Sequence, residues 1–153
     1  MPSESPATIL NDVIEMCQNG QEGFTAAASA VSDAHLRKIL GEFAEQRAQF
    51  TLQLQSLVKK MGGEPETSGS AAGVLHRSWM GLKSALTGGS EPAILDECAR
   101  GDETALATYR NALGHDLPAP ARELLDSQRL QIEEVRGQIA QLRAHLEARP
   151  AVG

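Results

Sequence analysis

Apolar residues recur at intervals of three and four positions along most of the chain, and this spacing predicts amphipathic helices. In the first half, one such stripe covers residues 5–31 and a second covers residues 33–61. Ser32 and Asp33 interrupt the pattern as turn or N-cap residues, and Gly62 ends the second stripe. Because the turn between the stripes is so short, the two predicted helices must run antiparallel.

The second half of the chain repeats this arrangement after a long connection. Residues 62–90 are rich in Gly, Ser, Pro and Thr, and a short apolar stretch within them predicts a helix at 71–86. Ser90 is placed to cap a third helix over 91–113, and a fourth helix is predicted over 119–148. The connection is therefore interpreted as a crossover between two helical pairs.

These elements predict an all-α fold, because no segment has the convincing period-two alternation of a strand. A chain of 153 residues is long enough for one hydrophobic core and too short for two independent units, so residues 1–153 are predicted to form one domain. Two antiparallel helix pairs, joined by a long crossover that carries a short helix, are typical of a ferritin-like four-helix bundle. A simple up-down bundle with a decorated loop is the alternative.

Composition and charge narrow the classes of function. Asp and Glu number 20 against 14 Lys and Arg, which gives a net charge of −6, and the basic residues are scattered. No nucleic-acid partner is expected, since phosphate binding needs a basic face. No apolar run approaches the roughly 18 residues that span a bilayer, and the N-terminus lacks the pattern of a signal peptide, so we expect no membrane partner and a cytoplasmic location. Cys17 and Cys98 are expected to be reduced core residues.

A bundle of this kind raises the question of a dinuclear metal centre, which such scaffolds build from inward-facing glutamates and Glu-x-x-His pairs. The sequence contains no Glu-x-x-His pair. Helical-wheel angles place Glu22 and Glu45 on outer faces, and Glu97 flanks the third helix, so these carboxylates are expected to be solvated. No catalytic residue and no metal site are therefore predicted, and the remaining candidate metal ligands are Glu22, Glu45, Asp102 and His76.

The same wheel angles direct four polar side chains into the core: Arg47, Asp102, Tyr109 and Gln128. A buried arginine needs an anionic partner, so we predict an ion pair between Arg47 and Asp102. Tyr109 and Gln128 are predicted to satisfy the remaining donors and acceptors of that pair. This network would occupy the place of a metal centre, where a guanidinium repels a divalent cation. It is interpreted either as a device that specifies helix register or as a modified functional site.

Glycines within the predicted helices indicate close approaches of other groups. Gly20, Gly23 and Gly101 each cost about 1 kcal/mol of helix propensity relative to alanine. We expect the crossover helix, with the bulky Trp79, to pack over one of these flat positions.

Several blocks of residues spread over most of the chain form a recognisable set. They are 10–12 (LND), 20–24 (GQEGF), 45–50 (EQRAQF), 62–63 (GG), 75–80 (LHRSWM), 82–83 (LK), 93–98 (AILDEC), Tyr109, 117–118 (LP), Gln128 and 142–143 (LR). Together these blocks resemble a bacterial ferritin-like family of four-helix-bundle proteins known as a domain of unknown function. The resemblance implies a ferritin-like fold, a bacterial origin and a stress-related role, and it implies no established reaction.

The chain also departs from what the resemblance implies. Where relatives are expected to carry acidic residues or histidine, this chain has Ser29, Ala99, the shorter Asp102, and Arg136 followed by Gly137. Each difference removes or shortens a metal ligand. If relatives bind a metal at these positions, this chain is expected to bind it weakly or not at all.

Three functions follow from these observations. The first is a non-enzymatic bundle that acts through its surface, as a homo-oligomer or with a protein partner and without a cofactor. The second is a di-iron or di-manganese oxidase, or an iron-handling protein, with the unorthodox ligands named above. The third is a module that holds a small ligand between helices near Arg47. The missing ligands favour the first, and the low content of aromatic residues, one Trp, one Tyr and three Phe, favours association.

Overall fold

A computed structural model of the chain describes residues 5–67 and 90–148. It contains four long helices within these ranges and no strand, so the predicted all-α four-helix fold is confirmed. The helices are α1 (Pro6–Ala30), α2 (Ala34–Lys60), α3 (Glu91–Leu113) and α4 (Ala119–Ala148). The helix predicted at 71–86, with His76 and Trp79, lies outside the described residues.

Local chemistry explains where three of these helices begin. The residue before each one accepts a hydrogen bond from a backbone N–H three positions later, which satisfies one of the free donors of the first turn. The pairs are Ser5 with Thr8 at 3.2 Å, Asp33 with Leu36 at 2.8 Å, and Ser90 with Ala93 at 3.3 Å.

The end of α2 is set by a glycine. Gly62 has a φ of +81°, a left-handed conformation that side chains disfavour. The next N–H, from Gly63, donates to the carbonyl of Val58 at 3.0 Å. The chain therefore leaves the helix at the position where the sequence predicted a stop.

Two apolar clusters define how the helices are oriented. One contains the second half of α1, the first halves of α2 and α3, and the second half of α4. The other contains the remaining halves of the same helices. Because the N-termini of α2 and α3 lie at the same end of the bundle, these two helices run parallel. This is the one-crossover connectivity predicted from the sequence, and the up-down alternative is wrong.

Helices α2 and α3 lie diagonally opposite each other in the bundle. Helix α1 packs against α2 and α3, while α4 packs against α3 and, less extensively, α2. Between the two apolar clusters lies a layer that contains Gly20, Arg47 and Asp102, which we call the central layer. None of the described helices combines the length and apolar character needed to cross a membrane.

Candidate functional site

An ion pair across the bundle forms the centre of the candidate site. Arg47 Nη2 on α2 donates to Asp102 Oδ1 on α3 at 2.8 Å. The two side chains are 1% and 0% exposed, so the pair is shielded from water. Since α2 and α3 are diagonal, the extended arginine side chain is what allows the two helices to be linked through the core.

Besides the ion pair, Arg47 has one polar contact and one aromatic contact among the described residues, and its Nε donates to Gln46 Oε1 at 3.5 Å. Its Cζ atom lies 5.2 Å from the centroid of the Phe24 ring, which is close enough for a cation–π interaction. Phe24 in turn packs edge-on against Phe43, with ring centroids 5.5 Å apart. The first helix therefore contributes a ring face that stabilises the buried positive charge.

Gly20 provides the space that the guanidinium occupies. A Cβ atom at this position would lie 3.1 Å from Arg47 Nη1 and 3.3 Å from Arg47 Cγ. The close approach predicted at Gly20 therefore involves the side chain of Arg47. The packing of Trp79 lies outside the described residues.

The substitution Gly20→Ala is expected to lower the free energy of unfolding by about 1 kcal/mol, although alanine is the better helix former. The added methyl group must displace Arg47, which its ion pair holds in place. The matched control is Gly41→Ala in α2, where no heavy atom lies within 4 Å of the new Cβ. This control is expected to gain about 0.5–1 kcal/mol. Urea unfolding of both variants measures the difference, and equal stabilisation of the two would contradict the steric role of Gly20.

Tyr109 and Gln128 form a second buried group of hydrogen bonds. The Tyr109 hydroxyl donates to Gln128 Oε1 at 2.8 Å, and Gln128 Nε2 donates to Gln53 Oε1 at 2.9 Å. The Tyr109 oxygen also lies 3.1 Å from Cys17 Sγ. The predicted role of Tyr109 and Gln128 is therefore wrong, because their hydrogen bonds go to these groups and not to the Arg47–Asp102 pair.

The electrostatics of the pair are asymmetric. Asp102 Oδ2 is buried and has no hydrogen-bond partner in the described part of the chain. Burial raises the pKa of Asp102, and the adjacent Arg47 guanidinium offsets part of that effect. One carboxylate oxygen thus binds the cation while the other is buried without a hydrogen-bond partner among the described residues.

Three residues around this layer differ from what the sequence pattern predicts. Cys17 is predicted to be a small apolar core residue, yet it contacts the Tyr109 hydroxyl. Gln53 is exposed, so nothing in the pattern of α2 pointed to its bond with Gln128. Asn19 is 0% exposed and neither of its amide atoms has a partner among the described residues, although its wheel angle lies away from the apolar stripe.

The candidate metal ligands are not brought together. Glu22 and Glu45 are exposed, Asp102 is engaged by Arg47, and His76 lies outside the described residues. Glu97, which was expected to be solvated, is 8% exposed and pairs with Arg100 one turn along α3. Within residues 5–67 and 90–148, no three His, Cys, Asp or Glu side chains are grouped so that they could hold a metal ion.

The family comparison agrees with the resemblance seen in the sequence. A family model described as a domain of unknown function (DUF2383) matches residues 5–115. The chain belongs to this family. The DUF2383 match includes α1, α2 and α3, and with them Gly20, Arg47 and Asp102, whereas α4 follows it. The comparison with curated proteins gives no match.

Proposed function

We propose that this DUF2383 protein is a non-enzymatic helical bundle that acts through its surface, by self-association or by binding a protein partner, and that it has no intact dinuclear metal centre. The observation that carries the proposal is the Arg47–Asp102 ion pair in the central layer. A guanidinium at this place adds positive charge where two divalent cations would have to bind. The family resemblance supports a bacterial, stress-associated role for such a bundle.

The donor set does not fit a dinuclear iron or manganese centre. Such a centre needs several carboxylate or imidazole ligands that converge within a few ångströms. Glu22 and Glu45 are exposed, and the one buried carboxylate of the candidate set, Asp102, has its Oδ1 atom bound to Arg47. The oxidase alternative would require these side chains to leave their positions, so no reaction step is derived from it.

The pair is better explained as a structural device. Arg47 lies on α2 and Asp102 on α3, the two diagonal helices. The 2.8 Å hydrogen bond between them sets the register of α2 against α3. A polar contact of this kind specifies one arrangement among the many that apolar side chains alone would tolerate. The chemistry open to the protein is therefore on its outer faces.

Metal titration tests the proposal directly. Protein purified without chelators is expected to contain much less than one iron or manganese ion per chain. Addition of either ion at neutral pH is expected to leave the melting temperature unchanged, because a ligand that binds the native state would raise it.

A matched variant makes this test specific. Glu22→Gln combined with Glu45→Gln removes the two exposed carboxylates of the alternative ligand set. Two metal ions per chain in the wild type, a metal-dependent rise in melting temperature and the loss of both effects in this variant would overturn the proposal.

A further inference from the structure

Among the described residues, the helix pair α2 and α4 forms the least closely packed of the four sides of the bundle. Two grooves of about 450 and 220 Å³ lie along it, one near the start of α4 and the other near its end. We call this surface the α2–α4 seam and define it by its most central lining residues, Gln53, Leu57, Leu124, Gln138, Gln141 and Leu142.

The two grooves of the α2–α4 seam are poor in charge, whereas the exposed Glu42 and Glu134 lie between them on the same helix faces. Among the described residues that line its grooves, Lys60 carries the one full charge at neutral pH, and the others are amide, apolar, serine, proline or histidine residues. The hydrogen bonds that join α2 to α4 in the described residues also come from an amide, because Gln128 donates to Gln53 Oε1 and, at 3.5 Å, to the carbonyl of Phe50. Depletion of charge is typical of the centre of a protein interface.

The other sides of the bundle carry more charge. Of the two grooves between α1 and α2, one is lined in part by Arg37 and Glu45 and the other in part by Glu22. Helices α3 and α4 are joined on their outer side by two ion pairs, Glu103–Arg136 and Asp96–Arg143. These surfaces are therefore less suited than the α2–α4 seam to burial against another protein.

The chemistry of the α2–α4 seam suits a second copy of the same chain. Each copy has a net charge of −6, so two copies repel each other, and this repulsion is smallest between faces that carry few charges. A glutamine side chain has both a donor and an acceptor, so two identical amide-rich faces can pair. An isologous two-fold interface requires this self-complementarity.

The size of the surface is sufficient for a stable dimer. Helix α2 has 27 residues, which corresponds to roughly 40 Å. Two adjacent helices of this length present roughly 800 Å² per copy, which is the area of a standard interface. In the described residues, the large hydrophobic side chains that are most exposed, Leu52 at 58% and Leu130 at 53%, also lie on α2 and α4.

We propose that a second copy of the chain docks on the α2–α4 seam to form a two-fold symmetric dimer. This inference rests on the self-association included in the proposed function, and it names the face that carries it. The dimer would bury the grooves at both ends of the seam and leave the charged sides of the bundle in water.

The test is sedimentation equilibrium of the full chain over a range of concentrations, with two matched double variants. Gln138→Lys with Gln141→Lys places two charges on exposed positions of the α2–α4 seam. Gln21→Lys with Ser29→Lys places the same two charges on exposed positions of α1 that line a groove between α1 and α2. Both variants change the net charge equally, so they differ in the location of the new charge. Circular dichroism checks that each remains folded.

We expect the wild type to be a dimer and the control variant to have the same dissociation constant. The dissociation constant of the α2–α4 seam variant is expected to be at least tenfold higher. Three results would show that the chain self-associates through another face: a dissociation constant unchanged in both variants, raised equally in both, or raised in the control alone. Any of them would overturn this inference and leave the proposed function unaffected. A wild type that remains monomeric at high concentration would overturn both the inference and the self-association it rests on.

Discussion

Replacement of Arg47 by methionine is expected to lower the free energy of unfolding by about 3–5 kcal/mol. The substitution leaves the Asp102 carboxylate in the core with no cation beside it, and both of its oxygens then lack a partner. Breaking a buried ion pair from one side is costly for this reason, since the remaining charge has lost its hydration and gained nothing in return. Chemical unfolding at neutral pH measures the loss.

A double variant separates the ion pair from simple packing. Arg47→Met combined with Asp102→Leu replaces both charges with apolar groups, and it is expected to recover most of the stability lost in either single variant. The control is Arg129→Met, which removes surface ion pairs with Asp126 and Glu133 and is expected to cost less than about 1 kcal/mol. Full stability of the single Arg47→Met variant would show that the charge pair has no structural role.

Stability is expected to fall steeply above pH 9. Burial raises the pKa of the Cys17 thiol from its ordinary value of 9.0 to about 11, while the hydrogen bond with Tyr109 and the charge of Arg47 offset part of the rise. A group whose pKa is raised in the folded state stabilises that state fully below its unfolded pKa, and this contribution is lost as the pH rises through the folded pKa. For Cys17 the loss runs from pH 9 to pH 11 and reaches about 2 kcal/mol at pH 11.

The variant Cys17→Ala tests this assignment. It removes the thiol, so the free energy of unfolding is expected to fall less between pH 9 and pH 11 than in the wild type, although the variant is less stable at pH 7 because of the cavity it creates. Burial also raises the pKa of Cys98 and of Tyr109, so a shallower decline remains in the variant. Urea unfolding at intervals of one pH unit gives both curves, and parallel curves would show that Cys17 does not titrate in this range.

The four helices were predictable because helix formation depends on neighbours in sequence. Apolar residues three and four positions apart identify a buried stripe without knowledge of what covers it. Turn chemistry is equally local, and Asp33 and Gly62 lie where α2 begins and ends. The crossover connectivity followed from the contrast between a short turn at Ser32 and Asp33 and a long, glycine-rich connection.

The central ion pair was predictable for a different reason. A buried charge needs a counter-charge, and few inward positions carried one, so Asp102 was the natural partner for Arg47. No similar rule predicts which hydrogen-bond partner an uncharged buried side chain takes. Tyr109 could donate to any nearby acceptor, and its choice of Gln128 depends on where α4 lies relative to α3.

The sequence by itself determined the helices, their order and the charged pair in the core, because periodicity, turn chemistry and charge balance act through a few residues at a time. The tertiary structure decided the neutral contacts and the burial of the flanking side chains. A helical-wheel angle describes direction about one axis, whereas the exposure of Glu97 or Asn19 depends on what lies beside that helix. For the same reason Gly20 faces Arg47, since a contact between two helices exists only once both are packed.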